Sequence, residues 1–173
     1  MTDTAKKRSA HGPAIIAVFV ALLVAVQYVL GFLPGVELVT VTFVAFCCVF
    51  GARYGMITAT CFAVLRQLVF GFFPPVLLLY LVYFNLLALV MGKLGARAKP
   101  NLAKVVIIAT VSTLCFTLLD NVITPLWFGY SWNAFWIYFK ASLVFVGIQC
   151  ACAGVTTGLL FNPLHKVFSK FTR

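Results

Sequence analysis

The chain of 173 residues is 64% hydrophobic and only 9% charged, far more apolar than soluble domains, where roughly 45–50% is usual. Repeated apolar runs of the length needed to cross about 30 Å of hydrocarbon leave no room for a separate soluble domain, so the composition excludes a soluble globular fold and predicts an all-α membrane protein. The formal charge of +10 reads as orientation charge on membrane loops rather than as a nucleic-acid surface, and its placement along the chain bears this out below.

Residues 1–12 form a polar leader with Lys6, Lys7 and Arg8. The apolar run 13–32 is too long for the core of a signal peptide and has no small-residue cleavage site behind it, so it is expected to be a retained first span. Ala17, Ala21 and Ala25 recur along it every four residues, a small-xxx-small face that lets another helix approach closely. Pro34 and Gly35 turn the chain into a second span at 36–50, and Gly51 to Gly55 makes a tight connection to a third at 56–70. Pro74 and Pro75 introduce a fourth span at 76–91, and 92–104 reads as a solvated loop carrying Lys93, Arg97, Lys99 and Lys104. The fifth span, 105–119, ends at Asp120 and Asn121, and an aromatic stretch with Trp127 and Trp132 follows, as at a membrane interface. The sixth span, 134–161, ends at the Phe161 to Leu164 segment, and a basic tail closes the chain over 165–173. A six-helix transmembrane domain over 13–164, with both termini cytoplasmic, is the expected architecture.

All of the 13 Lys and Arg residues except Arg66 and Lys140 then fall on the cytoplasmic side, which fits the positive-inside rule. The polar residues within or beside the spans gather in the opposite leaflet: Glu37 opens the second span, Arg66 and Gln67 approach the outer end of the third, Asp120 and Asn121 end the fifth, and Lys140 enters the sixth. Tyr80, Tyr83 and Asn85 on the fourth extend the group inward. A charge inside a span is costly and tends to face a partner or a water-filled cavity. Trp132, Trp136 and Lys140 share one face of the sixth span, which is therefore expected to form a wall of a binding site, while Gly147, Ala151, Gly154 and Gly158 form a small-residue stripe further along. Two readings of the charges stand side by side: Glu37 and Asp120 neutralise Arg66 and Lys140 as structural pairs, or the group meets a solute.

The polar row stops partway through the membrane, unlike a channel or proton relay, which needs polar groups through the full thickness. No phosphate-binding loop, zinc pair or nucleophile motif occurs, so neither enzymatic chemistry nor a cofactor or metal is expected. The six cysteines lie in apolar runs and behave as small hydrophobes, and His11 and His165 sit in the flanks.

The spans in under 200 residues, the Ala17-xxx-Ala21-xxx-Ala25 face, the Pro34-Gly-Val-Glu-Leu-Val-Thr40 entry and the Phe161-Asn-Pro-Leu164 exit resemble the substrate-binding S component of an energy-coupling factor (ECF) transporter. The resemblance implies a prokaryotic cell-membrane subunit that captures a vitamin-like micronutrient from outside. It implies as partners a transmembrane coupling subunit, docked through the first helix, and two ATP-binding subunits. A self-sufficient small-solute transporter is the alternative, although the last three spans do not repeat the first three; a non-transport integral membrane protein is another.

Overall fold

The computed structural model describes residues 3–33, 36–97 and 100–172, with the side chains of 3–11 and of Arg97 outside that description. The leader's basic side chains, His11, Pro34, Gly35, Lys99 and Arg173 therefore lie outside the described residues. The chain is all-helical: α1 (Asp3–Leu30), α2 (Val39–Phe70), α3 (Pro74–Arg97), α4 (Leu102–Trp127) and α5 (Trp132–Phe168), with a closing 3-10 turn at Ser169–Thr172. Each of the five helices contains a stretch long and apolar enough to cross a membrane.

The expected second and third spans are joined in α2, but Gly51 interrupts it with φ 84° and ψ 173°. That left-handed φ is open to glycine without cost and strained for any residue with a Cβ. On one side of Gly51, Phe43 meets Phe84 at 5.1 Å and the Cys48 thiol donates to the Met91 carbonyl at 3.6 Å, so numbering rises together in α2 and α3. On the other side, Ala52 lies against Gly92 and Asn85 donates to Thr60 at 3.3 Å, so numbering runs in opposite directions. The chain thus reverses at Gly51. We call 39–50 the central arm and 52–70 the return arm.

Every residue from Val39 to Cys48 is buried. A helix buried on all sides needs an apolar surface all round, which this valine-, phenylalanine- and cysteine-rich sequence supplies, and Thr42 returns its hydroxyl to the Leu38 carbonyl at 2.8 Å. Phe19 of α1 packs on Phe46 at 4.3 Å and on Phe168 at 4.7 Å, tying the first, central and last helices together at one end of the bundle. We call this the lower end. The upper end carries residues 31–33, 71–73 and 128–131, where Tyr28 meets Phe70 and Phe73 stacks on Phe128 at 5.5 Å.

Several expected boundaries are corrected. α3 runs on to Arg97 rather than stopping at 91, because Gly92 and Gly95 continue the helix against the Gly51 turn: a Cβ on Gly92 would lie 2.2 Å from the Ala52 nitrogen, and one on Gly95 2.3 Å from the Cys48 carbonyl oxygen. The solvated loop shrinks accordingly, and Asn101 caps α4 by accepting the Ala103 amide at 2.9 Å. Asp120 and Asn121 lie inside α4, which continues to Trp127, rather than ending it. Pro163 does not end α5; the proline removes one backbone donor, while the helix beyond it is held by Phe168 against Phe19. Of the glycines in the small-residue stripe on α5, a Cβ on Gly154 would meet Thr110 at 3.2 Å, whereas Cβ atoms on Gly147 and Gly158 would meet nothing within 4 Å among the described residues.

Candidate binding cavity

The link after α1 carries Glu37 into the bundle beside Thr113, near the middle of α4. Its backbone is fixed by α5: the Glu37 amide donates to Cys152 Sγ at 3.3 Å, and the Thr156 hydroxyl donates to the Glu37 carbonyl at 3.2 Å. Its carboxylate sits at the start of α2, where the Thr40 amide donates to Oε1 at 3.0 Å and the Thr40 hydroxyl donates to the same oxygen. An acid at a helix N-terminus meets unpaired amides and the positive end of the helix dipole, which accounts for this side of the geometry. Among the described residues, the other oxygen, Oε2, receives the Thr113 hydroxyl alone, at 3.4 Å.

Beside this carboxylate lies a cavity of about 230 Å³. It is lined at the upper end by Leu30, Gly31 and Leu33 and reaches Glu37, Thr40 and Thr113, with Tyr80, Tyr83, Phe84 and Phe116 as aromatic walls and Gln27 and Gln149 as amides. A second cavity, also about 230 Å³, shares Tyr80, Phe116 and Gln149 with it and continues to Asp120, Asn121 and Ser142. Below the shared walls the bundle fills with rings: Phe84 packs on Phe43 and on Phe62 at 5.1 and 5.2 Å, and the Phe19, Phe46 and Phe168 cluster follows.

The expected site residues separate into groups. Glu37, Tyr80, Tyr83, Asp120 and Asn121 are brought together around the two cavities. Arg66 lines neither, but its guanidinium lies 4.3 Å over the Tyr80 ring and 5.2 Å from that of Phe70, a cation–π arrangement just behind the cavity wall. Its buried Nε has no hydrogen-bond partner among the described residues. Gln67 is spent on structure, accepting the Phe73 amide at 2.9 Å to shape the turn between α2 and α3. Asn85 donates to the Leu81 carbonyl at 2.8 Å and to Thr60, bridging α3 to the return arm. Lys140 and Trp136 are exposed on the flank of α5 and line neither cavity. The structural-pair reading meets the same geometry, since Glu37 is held by threonines rather than by a cation.

Gln27, Thr40, Thr113, Ser142 and Gln149 line the cavities and were not singled out in the sequence. Their signal was present as spacing. Thr113, Thr117, Asp120 and Thr124 form a polar stripe on one face of α4, and Ser142, Gln149 and Thr156 recur every seven residues on α5. No family model, curated protein or solved structure matches the chain.

Proposed function

We propose that this protein is the substrate-binding subunit of an ECF-type importer, holding a vitamin-like solute taken from outside the cell membrane for uptake driven by a coupling subunit and two ATP-binding subunits. The observation that carries this reading is a polar cavity that begins at the upper end and stops at Glu37, above a floor of packed phenylalanines. Such a cavity suits capture without passage, and release then requires another protein to rearrange the bundle.

In this reading the segment entering the bundle at Glu37 makes one crossing together with the central arm, and the return arm makes another, giving six crossings, with both termini and the loop between α3 and α4 cytoplasmic. The absence of Lys and Arg from the three upper-end connections supports that orientation. Ala17, Ala21 and Ala25 are all exposed, so the face with small-residue spacing is free of helices from this chain and is the proposed dock for the coupling subunit. Lipid covers the remaining apolar flanks.

The test is co-expression with a coupling subunit and its ATPases. Ala21→Trp is expected to abolish co-purification and ATP-dependent uptake while leaving the thermal unfolding midpoint of the isolated subunit within about a degree of wild type. Normal assembly and uptake by this variant would show that the alanine face is not the dock.

A further inference from the structure

The polar character of the cavity is unequal in sign. Among the described residues, no Lys, Arg or His lines the first cavity, and Glu37 is the one acid. The carboxylate divides its work: Oε1 takes both Thr40 donors, whereas Oε2 has a single long contact with Thr113 and retains acceptor capacity. A second acceptor shares this wall. Gln27 gives its amide nitrogen to the Tyr80 hydroxyl at 2.8 Å, and its buried Oε1 has no donor among the described residues.

A buried acceptor without a donor costs roughly 1–3 kcal/mol, and a buried carboxylate without a cation costs more, so a native site holding both is arranged for a partner that supplies donors and positive charge. Neither cation of this half of the molecule supplies it. Arg66 stacks behind Tyr80, outside the cavity lining, and Lys140 is exposed on α5. The remaining walls are Tyr80, Tyr83, Phe84 and Phe116, and aromatic rings attract cations through their electron-rich faces.

We propose that this cavity takes a solute bearing a protonated or quaternary nitrogen on or beside an aromatic ring, with Glu37 as its counter-ion. The inference rests on the reading of the protein as a solute-capturing subunit and names the class of solute. Gln27 receives an N–H from the same group, and Tyr83 and Phe116, packed on each other at 4.7 Å, present one aromatic wall to the ring.

Three matched probes test this: benzylamine, which is protonated at pH 7, neutral benzyl alcohol and anionic benzoate. Binding is followed by ligand-observed NMR on the purified protein in detergent. Benzylamine is expected to bind about tenfold or more tightly than either analogue, the scale of one charge-assisted hydrogen bond. Glu37→Gln keeps an oxygen for the Thr40 amide and is expected to bring benzylamine to within about threefold of benzyl alcohol. Phe116→Leu, which leaves the carboxylate in place, is expected to weaken benzylamine severalfold and keeps the test decisive should Glu37→Gln fail to fold. Preference for benzoate, a benzylamine preference that survives Glu37→Gln, or no measurable benzylamine binding would overturn the cationic class. Those outcomes leave the docking test untouched, since loss of assembly in Ala21→Trp is read without any ligand; conversely, cation binding with undisturbed assembly of that variant would retain the site and remove the proposed partner.

Discussion

The α2–α3 side and the α4–α5 side are equally apolar in sequence and differ sharply in packing. In the most hydrophobic window of each helix, 56% of α2 and 44% of α3 is buried, against 22% of α4 and 17% of α5. The first pair closes through glycines whose missing Cβ atoms allow backbone contact at Ala52 and Cys48. The second pair meets the rest through threonines, glutamines and a carboxylate around the cavities. One side is a scaffold held by close approach, and the other is a wall that keeps space open. Rigid packing on one side lets the cavities on the other remain polar and only partly filled without loss of the fold.

The sharpest way to break this contrast is to place side chains where the two sides treat them differently. Gly92→Leu drives atoms into the Ala52 backbone and is expected to cost about 3 kcal/mol or more, seen as a large drop in the thermal unfolding midpoint in detergent. Gly147→Ala on α5 meets nothing within 4 Å and is expected to raise the midpoint slightly, by up to about 1 kcal/mol of helix propensity. Equal losses at both positions would erase the distinction. At the seam between the sides, Arg66→Met removes the cation over Tyr80 and is expected to cost about 0.5–2 kcal/mol. Its loss should also broaden the NMR signals of the Tyr80 ring, and an unchanged ring environment would count against the stacking. The smallest effect belongs to Asn85→Leu, which removes a hydrogen bond between the return arm and α3; such bonds between membrane helices average about 0.6 kcal/mol, so chemical denaturation should barely move. A loss of several kcal/mol there would mean that the scaffold depends on polar contacts rather than on close packing.

The helices, their order and the grouping of Glu37, Tyr80, Tyr83, Asp120 and Asn121 were legible in the sequence because length, turn residues and intramembrane polarity report directly on crossing a bilayer. Which face of each helix points inward was not. Lipid is as apolar as a protein core, so valine and phenylalanine on the central arm look no different from those on the outer flank of α5. Lys140 illustrates the limit: its depth in a span marked it as costly, yet a long side chain on an exposed flank can reach the interface without entering the cavity. Gly92 and Gly95 were hidden for a different reason, since glycine beside lysine reads equally well as a loop or as a close contact, and only the position of Ala52 and Cys48 decides between them.

The central arm also bears on how the protein is made. Spanning 39–50, it is about 18 Å long, well short of the roughly 20 residues with which a helix partitions into hydrocarbon on its own. The translocation machinery will therefore handle it poorly as an independent signal. It enters most readily with the return arm as a hairpin folded at Gly51, against an α1 that is already in place, and it is sealed in only when α3 and α5 arrive. Biogenesis is thus committed late, and variants at Gly51 should be recognised by membrane quality control as unassembled chains before any question of solute binding arises.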